Sequence, residues 1–370
     1  MPPINILIKP ASSGCNLRCK YCFYHSVSQL REVENYGVMS KETLEIIVKK
    51  ALAYSDGFAS FAFQGGEPTL AGLPFYEKLM ELEKKYNVKN VQIHNAIQTN
   101  GMVIDEDWAR FFHKNNFLVG LSLDGPQNIH DENRVMAGGK GSFDRVMHTA
   151  ELFNKYRVEY NILTVVSKWV AQHARIVYQF FRKNKFQYLQ FIPCLDPVDE
   201  TPFQNDFSLT PGDYLQFLKT TFDLWYCDFA TGKPVSIRYF DNLVTMAMGY
   251  PPESCGMSGV CTCYFVAEAD GSIYPCDFYV TDKWYLGNVH DTNFEDLLAS
   301  PAAKEFMESS RHVDEKCKSC DVYTLCRGGF RRNREPFADG KPALNNYCDV
   351  FYAFFKYAGE NIQKMADKLR

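Results

Sequence analysis

Cys15, Cys19 and Cys22 fall within eight residues, spaced three and then two apart, directly after the apolar run Ile4-Asn5-Ile6-Leu7-Ile8. Thiolates gathered on one short loop bind soft metals, and cysteine ligation is how iron–sulfur clusters are held. Three ligands cannot complete a four-iron cube, so one iron is left for a non-protein ligand. An open iron beside a strand end points to chemistry rather than scaffolding. A partial zinc site or reduced structural thiols are the alternatives, although zinc normally takes four ligands in two knuckles.

A second field of cysteines begins at Cys255 and continues through Cys261, Cys263, Cys276, Cys317, Cys320, Cys326 and Cys348. Asp270-Gly271 lies between the strand-like stretches Tyr264–Ala267 and Ser272–Tyr274, a hairpin signal that predicts a type I′ turn with positive φ at both central residues. Zinc is an alternative here too, because Cys-x-x-Cys pairs are ordinary zinc knuckles. Cys194 and Cys227 have no spaced partners and read as packed thiols.

The elements that must position these groups are legible in the first half of the chain. Apolar runs near Ile4–Ile8, Ala59–Phe63, Val91–Ile97, Leu118–Leu123, Tyr160–Val166 and Tyr188–Ile192 predict strands. Helical periodicity near Lys41–Tyr54, Pro74–Tyr86, Asp105–Asn115, Phe143–Tyr156 and Ala171–Lys183 fills the intervals, with Ser40 and Ser142 where N-caps belong. Strand–helix alternation argues for a parallel sheet covered by helices. Gln64-Gly65-Gly66-Glu67, Gln98-Thr99-Asn100-Gly101 and Ser122-Leu123-Asp124-Gly125 each follow a strand, as the cysteine loop does. Together they read as one ligand-lined rim, in which Gly65 and Gly66 let backbone approach a ligand. Pro197, Pro202 and Pro211 punctuate the segment after residue 195, and Gly212–Cys227 reads as a helix.

Composition narrows the class. The 370 residues are 46% hydrophobic and 23% charged with net charge −4, an ordinary globular balance that gives no reason to expect nucleic acid or an anionic membrane as partner. No 18-residue apolar run and no signal-peptide pattern is present, so the expected location is cytoplasmic. Thirteen cysteines in a reducing compartment point to metal or catalysis rather than disulfides.

The spacing of Cys15, Cys19 and Cys22, with Tyr21 before the last, resembles the radical S-adenosylmethionine (SAM) superfamily. The second field resembles the SPASM extension: Cys261, Gly271 and Cys276 match its opening, and Cys317, Cys320, Cys326 and Cys348 match its continuation. The resemblance implies an α/β fold: a partial (β/α)6 barrel over residues 1–195, a bridge over 196–250, a cysteine-rich auxiliary-cluster domain over 251–348 and a C-terminal helix over 349–370. It implies a [4Fe–4S] cluster on Cys15, Cys19 and Cys22 that binds SAM, with Gly66 and Glu67 at its amino group, Ser122 at the ribose, Arg134 at the carboxylate, and Tyr21 and Leu195 at the adenine. It also implies two auxiliary [4Fe–4S] clusters. Cys317, Cys320, Cys326 and Cys348 would hold the outer one. Cys255, Cys261 and Cys276 would hold the inner one with a fourth cysteine, but that position is Phe330. Either the inner cluster has an open iron, or Cys263 substitutes, or the cluster is labile or absent.

Within that superfamily the whole chain, including Tyr274-Pro275-Cys276-Asp277, is similar to the anaerobic sulfatase-maturating enzymes. The resemblance implies oxidation of a Cys or Ser side chain in an unfolded sulfatase polypeptide to Cα-formylglycine, with Asp277 as base and a low-potential donor such as flavodoxin or ferredoxin. An unperturbed Asp has a pKa of about 3.9 against about 8.5 for a thiol, so the transfer needs a desolvated carboxylate or coupling to the oxidation. Two other readings remain: a peptide-modifying enzyme that forms thioether or carbon–carbon crosslinks, and a non-catalytic iron–sulfur or zinc protein.

Overall fold

All six expected strands form, and four shorter ones follow. In the computed structural model, which describes residues 2–198, 200–337 and 340–370, the strands are β1 (Ile4–Ile8), β2 (Phe58–Phe63), β3 (Gln92–Thr99), β4 (Leu118–Ser122), β5 (Glu159–Val166), β6 (Tyr188–Pro193), β7 (Ser236–Ile237), β8 (Val266–Ala267), β9 (Ser272–Tyr274) and β10 (Gly287–Asn288). The chain divides into two compact units, each discontinuous in sequence. Residues 1–123, 134–161 and 263–306 form one; residues 124–133, 162–262 and 307–370 form the other.

The first unit holds the strand order β10-β9-β8-β1-β2-β3-β4. β1 through β4 pair in parallel, with Ile6 opposite Phe61, Ala62 opposite Ala96 and Gln98 opposite Gly120. Parallel register sends the C-terminal end of every strand to one edge, so the loops after β1, β2, β3 and β4 share a rim. Helices Lys41–Tyr54, Leu73–Tyr86 and Glu106–Lys114 connect them, and Phe143–Tyr156 follows β4. Phe61, Phe63, Tyr76, Phe112 and Phe117 are fully buried, each worth about 1.5–3 kcal/mol of burial. Ser40 caps its helix by accepting from the Thr43 N–H at 3.0 Å. Ser142 stands at an N-cap without capping; its hydroxyl donates to the Arg134 carbonyl at 2.8 Å.

The hairpin of the later cysteine segment joins this same sheet. β8 hydrogen-bonds in parallel to β1, with Leu7 opposite Val266, and pairs antiparallel with β9. The turn differs from the I′ expectation. The Gly271 N–H donates to the Glu268 carbonyl at 3.0 Å and the Glu268 N–H to the Ser272 carbonyl at 2.9 Å, and of Asp270 and Gly271 only Gly271 has positive φ, at 91°. That is a three-residue loop closed by a glycine bulge, the next most common solution for a tight hairpin.

In the second unit β6 pairs in parallel with β5, Ile162 opposite Leu189, and with β7. The helix expected over 171–183 is two helices, Lys168–Gln172 and Ala174–Lys183. His173 leaves helical backbone between them at φ −112° and ψ 23°. The helix expected over 212–227 runs Pro211–Ala230, and Thr210 caps it. Cys194 is buried, but Cys227 is exposed and is not a packed thiol. The buried stripe of this helix carries Phe217, Leu218, Thr221, Phe222 and Trp225, and a residue two beyond Trp225 falls off that face. Among the described residues no helix is long and apolar enough to cross a membrane.

Candidate active site

The cysteine loop is tied to the rim by backbone and side-chain bonds. The Gly14 N–H donates to Ala11, the Arg18 N–H to Val135 at 2.7 Å, and the Cys22 N–H to Cys19. Asn100, after β3, donates to Asn16 Oδ1 at 2.7 Å and lies 3.8 Å from Cys15 Sγ. The Leu17 N–H points at Cys15 Sγ at 3.4 Å. All three cysteines are half-buried. Burial pushes the Cys15 thiol up to about 11, so a metal bound there would have to displace its proton.

Glu67 is 1% exposed and organises the rim rather than reaching out of it. Its Oε1 accepts from the Thr69 and Thr99 hydroxyls, at 2.5 and 2.7 Å, and its Oε2 from the Asn100 N–H at 2.7 Å. Burial raises its pKa against those bonds. The Glu67 N–H donates to the Gly14 carbonyl at 2.8 Å. A Cβ on Gly66, whose φ is 54°, would lie 2.2 Å from that same Gly14 oxygen. The close approach expected at Gly66 is therefore made by the cysteine loop itself.

Ser122 is buried and accepts from Gln98 Nε2 at 2.9 Å. Arg134 is buried with its guanidinium 5.6 Å from the Tyr21 ring centroid, which places a cation and an aromatic face beside the cysteine loop. A guanidinium held out of water suits a carboxylate ligand. The donor set thus fits a cluster and an amino-acid-like ligand: three thiols, a buried cation and buried hydroxyls. Leu195 lies after β6 in the second unit, half-buried.

Asp277 follows Cys276 and is 4% exposed. Two tyrosines that sequence reading did not single out aim at it. Tyr264 donates to Oδ1, and Tyr24 donates to Oδ2 at 3.0 Å. Tyr264 Oη also accepts from the Asp277 N–H at 3.0 Å and lies 3.3 Å from Cys276 Sγ. Burial raises the Asp277 carboxyl, and the bonds from Tyr264 and Tyr24 pull it back. The only sequence signal for either tyrosine is its nearness to a cysteine: Tyr264 follows Cys263, and Tyr24 lies two residues past Cys22. Successive residues of an extended chain face opposite ways, and Cys263 faces away from this group: its thiol accepts from the Phe265 backbone and sits by Tyr54.

In the second unit Cys317, Cys320, Cys326 and Cys348 lie near enough for their charges to interact, each half-buried. Among the described residues no three metal-binding side chains close on a single ion. Arg334 stitches this region, donating to the carbonyls of Gly259, Ser310 and His312. Cys255 is exposed, and the Cys261 N–H donates to Ser310 Oγ at 2.8 Å. The Phe330 ring packs on Gly256, where a Cβ would be 3.6 Å away.

Comparison with known proteins agrees with this geometry. Residues 10–179 match the radical SAM superfamily and residues 255–321 an iron–sulfur cluster-binding domain, SPASM. The chain is 52% identical to the cysteine-type anaerobic sulfatase-maturating enzyme of Clostridium perfringens, over 100% of both proteins. It is 33% identical to the serine-type enzyme of Bacteroides thetaiotaomicron, covering 99% of this chain and 92% of that one. Among solved structures, native anSMEcpe with bound AdoMet and a Cp18Cys peptide superposes with a TM-score of 0.96 at 51% identity, covering 100% of both chains.

Proposed function

Because the chain belongs to the anaerobic sulfatase-maturating enzymes, we propose that it oxidises a cysteine side chain of an unfolded sulfatase polypeptide to Cα-formylglycine in the cytoplasm. The observation that carries this reading is a buried carboxylate, Asp277, held by two tyrosine hydroxyls next to Cys276. Full-length identity is 52% with a cysteine-type relative against 33% with a serine-type one, which supports cysteine as the substrate side chain.

The residues divide the work. Cys15, Cys19 and Cys22 would hold the SAM-binding cluster; Gly66, Glu67, Ser122, Arg134, Tyr21 and Leu195 would form the SAM site. Since the Glu67 carboxylate is engaged by Thr69, Thr99 and Asn100, backbone carbonyls of the Gly-Gly-Glu turn are what it offers an ammonium. Cys317, Cys320, Cys326 and Cys348 would hold the outer auxiliary cluster, and Cys255, Cys261 and Cys276 the inner one. When bound, these groups supply a radical that takes one hydrogen atom from substrate Cβ and an acceptor for the one electron left behind; a flavodoxin or ferredoxin would prime them. Asp277 takes the thiol proton. Losing a hydrogen atom, a proton and an electron leaves a thioaldehyde, which water converts to the aldehyde with release of hydrogen sulfide.

Burial readies Asp277 for this, because a desolvated carboxylate is the stronger base. Tyr24 and Tyr264 hold it by both oxygens. Asp277→Asn keeps the shape and removes the proton affinity. That variant, given a cysteine-containing sulfatase peptide, SAM and reductant, is expected to form 5′-deoxyadenosine but little or no aldehyde. Full aldehyde yield would remove Asp277 from the reaction.

A further inference from the structure

Beneath the Asp277–Tyr24 pair lies a group of buried charges that the reaction so far leaves unused. Glu268, 0% exposed, forms ion pairs with Lys9 Nζ at 2.6 Å and Arg31 Nη1 at 3.4 Å and accepts a hydrogen bond from Ser12 Oγ at 2.9 Å. Lys9 is itself 3% exposed and Arg31 5%. Burying three charges is costly and, as a source of stability alone, usually no better than an apolar core. The arrangement has a direction. Lys9 leaves the end of β1, and its ammonium stands 5.9 Å from the centroid of the Tyr24 ring, whose hydroxyl bonds Asp277 Oδ2 at 3.0 Å.

The path of the Lys9 stem explains Gly65. A Cβ on Gly65 would fall 2.6 Å from Lys9 Cε and 2.8 Å from its Cγ, so the missing side chain is a slot through which the lysine passes. Glu268, fixed at the head of the β8–β9 turn by its N–H bond to Ser272, meets the ammonium at the far end.

We propose that Lys9, threaded past Gly65 and anchored by Glu268 and Arg31, is a positioning residue that holds Tyr24 against Asp277. It touches no substrate; it acts through the face of Tyr24, by a desolvated cation–π contact. The inference rests on Asp277 being the base.

The test is a double-mutant cycle on the holoenzyme, read as aldehyde formed per 5′-deoxyadenosine released. Lys9→Met keeps the stem and removes the charge. It is expected to lower that ratio about tenfold, within the range of such a contact, with the peptide KM and the iron content at parent values. Lys9→Arg, which keeps a cation, should recover most of the ratio. In a Tyr24→Phe background, Lys9→Met should add nothing, since the hydroxyl through which it acts is gone. Gly65→Ala, which crowds the stem while leaving every charge in place, should lower the ratio like Lys9→Met.

A parent-like ratio in Lys9→Met overturns the proposal. So does a loss that adds in full to that of Tyr24→Phe, or a loss of iron in both Lys9 variants, because each marks a merely structural lysine. If Asp277→Asn makes aldehyde normally, the base assignment fails first. If Asp277→Asn is inactive and Lys9→Met is normal, only the role of Lys9 falls.

Discussion

Replacing Gly66 by alanine separates two explanations of the Gly-Gly-Glu turn. The added Cβ would stand 2.2 Å from the Gly14 oxygen and 3.0 Å from the Ser12 oxygen. Ordinary contact begins at 3.4 Å, so the Gly14 carbonyl must retreat by about 1.2 Å. That movement breaks its 2.8 Å bond from the Glu67 N–H, which costs about 1–3 kcal/mol for a buried donor left alone. The φ of 54° adds about 1 kcal/mol for a residue with a Cβ. Together the change is about 2–4 kcal/mol, and it falls on the carbonyl one residue before Cys15. At tenfold per 1.4 kcal/mol, metal loading on the first cysteine loop should weaken by about 30- to 700-fold. Anaerobic reconstitution under limiting iron, followed by iron analysis and EPR of the reduced protein, reads this directly. The expected result is loss of one cluster's worth of iron with the auxiliary iron kept. If Gly66→Ala loads iron like the parent and loses only SAM affinity, the glycine serves the ligand and the packing argument is wrong.

Three further outcomes concern other parts of the chain. Phe330→Cys should raise iron content or lengthen the life of the inner auxiliary cluster and leave the Cys317 set unaffected; Cys263→Ala in that background should change little, because the Cys263 thiol sits by Tyr54. Unchanged iron and spectrum in Phe330→Cys would mean that another ligand fills the position. A third outcome concerns stability and pH. Burial lifts Glu83 to about 7, and among the described residues its Oε1 and Asn95 Oδ1 are buried without partners, while Asn95 Nδ2 donates to its Oε2 at 3.1 Å. The folded state therefore keeps a proton that the unfolded chain releases above about 4.5, and stability from this group is lost as pH rises from there through about 7. Glu83→Gln should stabilise by up to about 3 kcal/mol at pH 8 and by less than about 1 kcal/mol at pH 5; equal gains in denaturant midpoint at both pH values would refute it.

The strands were legible because each is a short run of β-branched or aromatic residues closed by a turn, and the rim because glycine and asparagine recur where those runs stop. The cysteine loop was legible because its spacing is local: Cys15, Cys19 and Cys22 occupy one loop. What was not legible is whatever depends on partners far along the chain. Tyr24 and Lys9 look like any surface tyrosine and lysine until β8 and β9 bring Glu268 and Asp277 beside them. Gly65 and Gly66 show the boundary well. Their types say that no side chain fits, but only coordinates show that what fills the space is the Lys9 stem and the Gly14 carbonyl. The hairpin was read correctly from Asp270-Gly271 and its turn type was not, because one additional loop residue moves positive φ onto Gly271 alone. Cys227 was misplaced for a similar reason: its fate depends on helix phase, which a lone cysteine does not reveal.

The pairing of β8 with β1 has a consequence for how the protein is made. Ser12, just past β1, finds Glu268 only after 256 more residues. At about 5–20 residues per second of synthesis, the outer edge of β1 stays unpaired for about 13–50 s on the ribosome. It is an apolar edge, with Ile4, Ile6 and Ile8 all buried in the finished fold, and unpaired apolar edges invite pairing with other chains. Asp277 arrives with the same late hairpin, so a chain truncated before it would keep the Cys15 loop yet carry no Asp277.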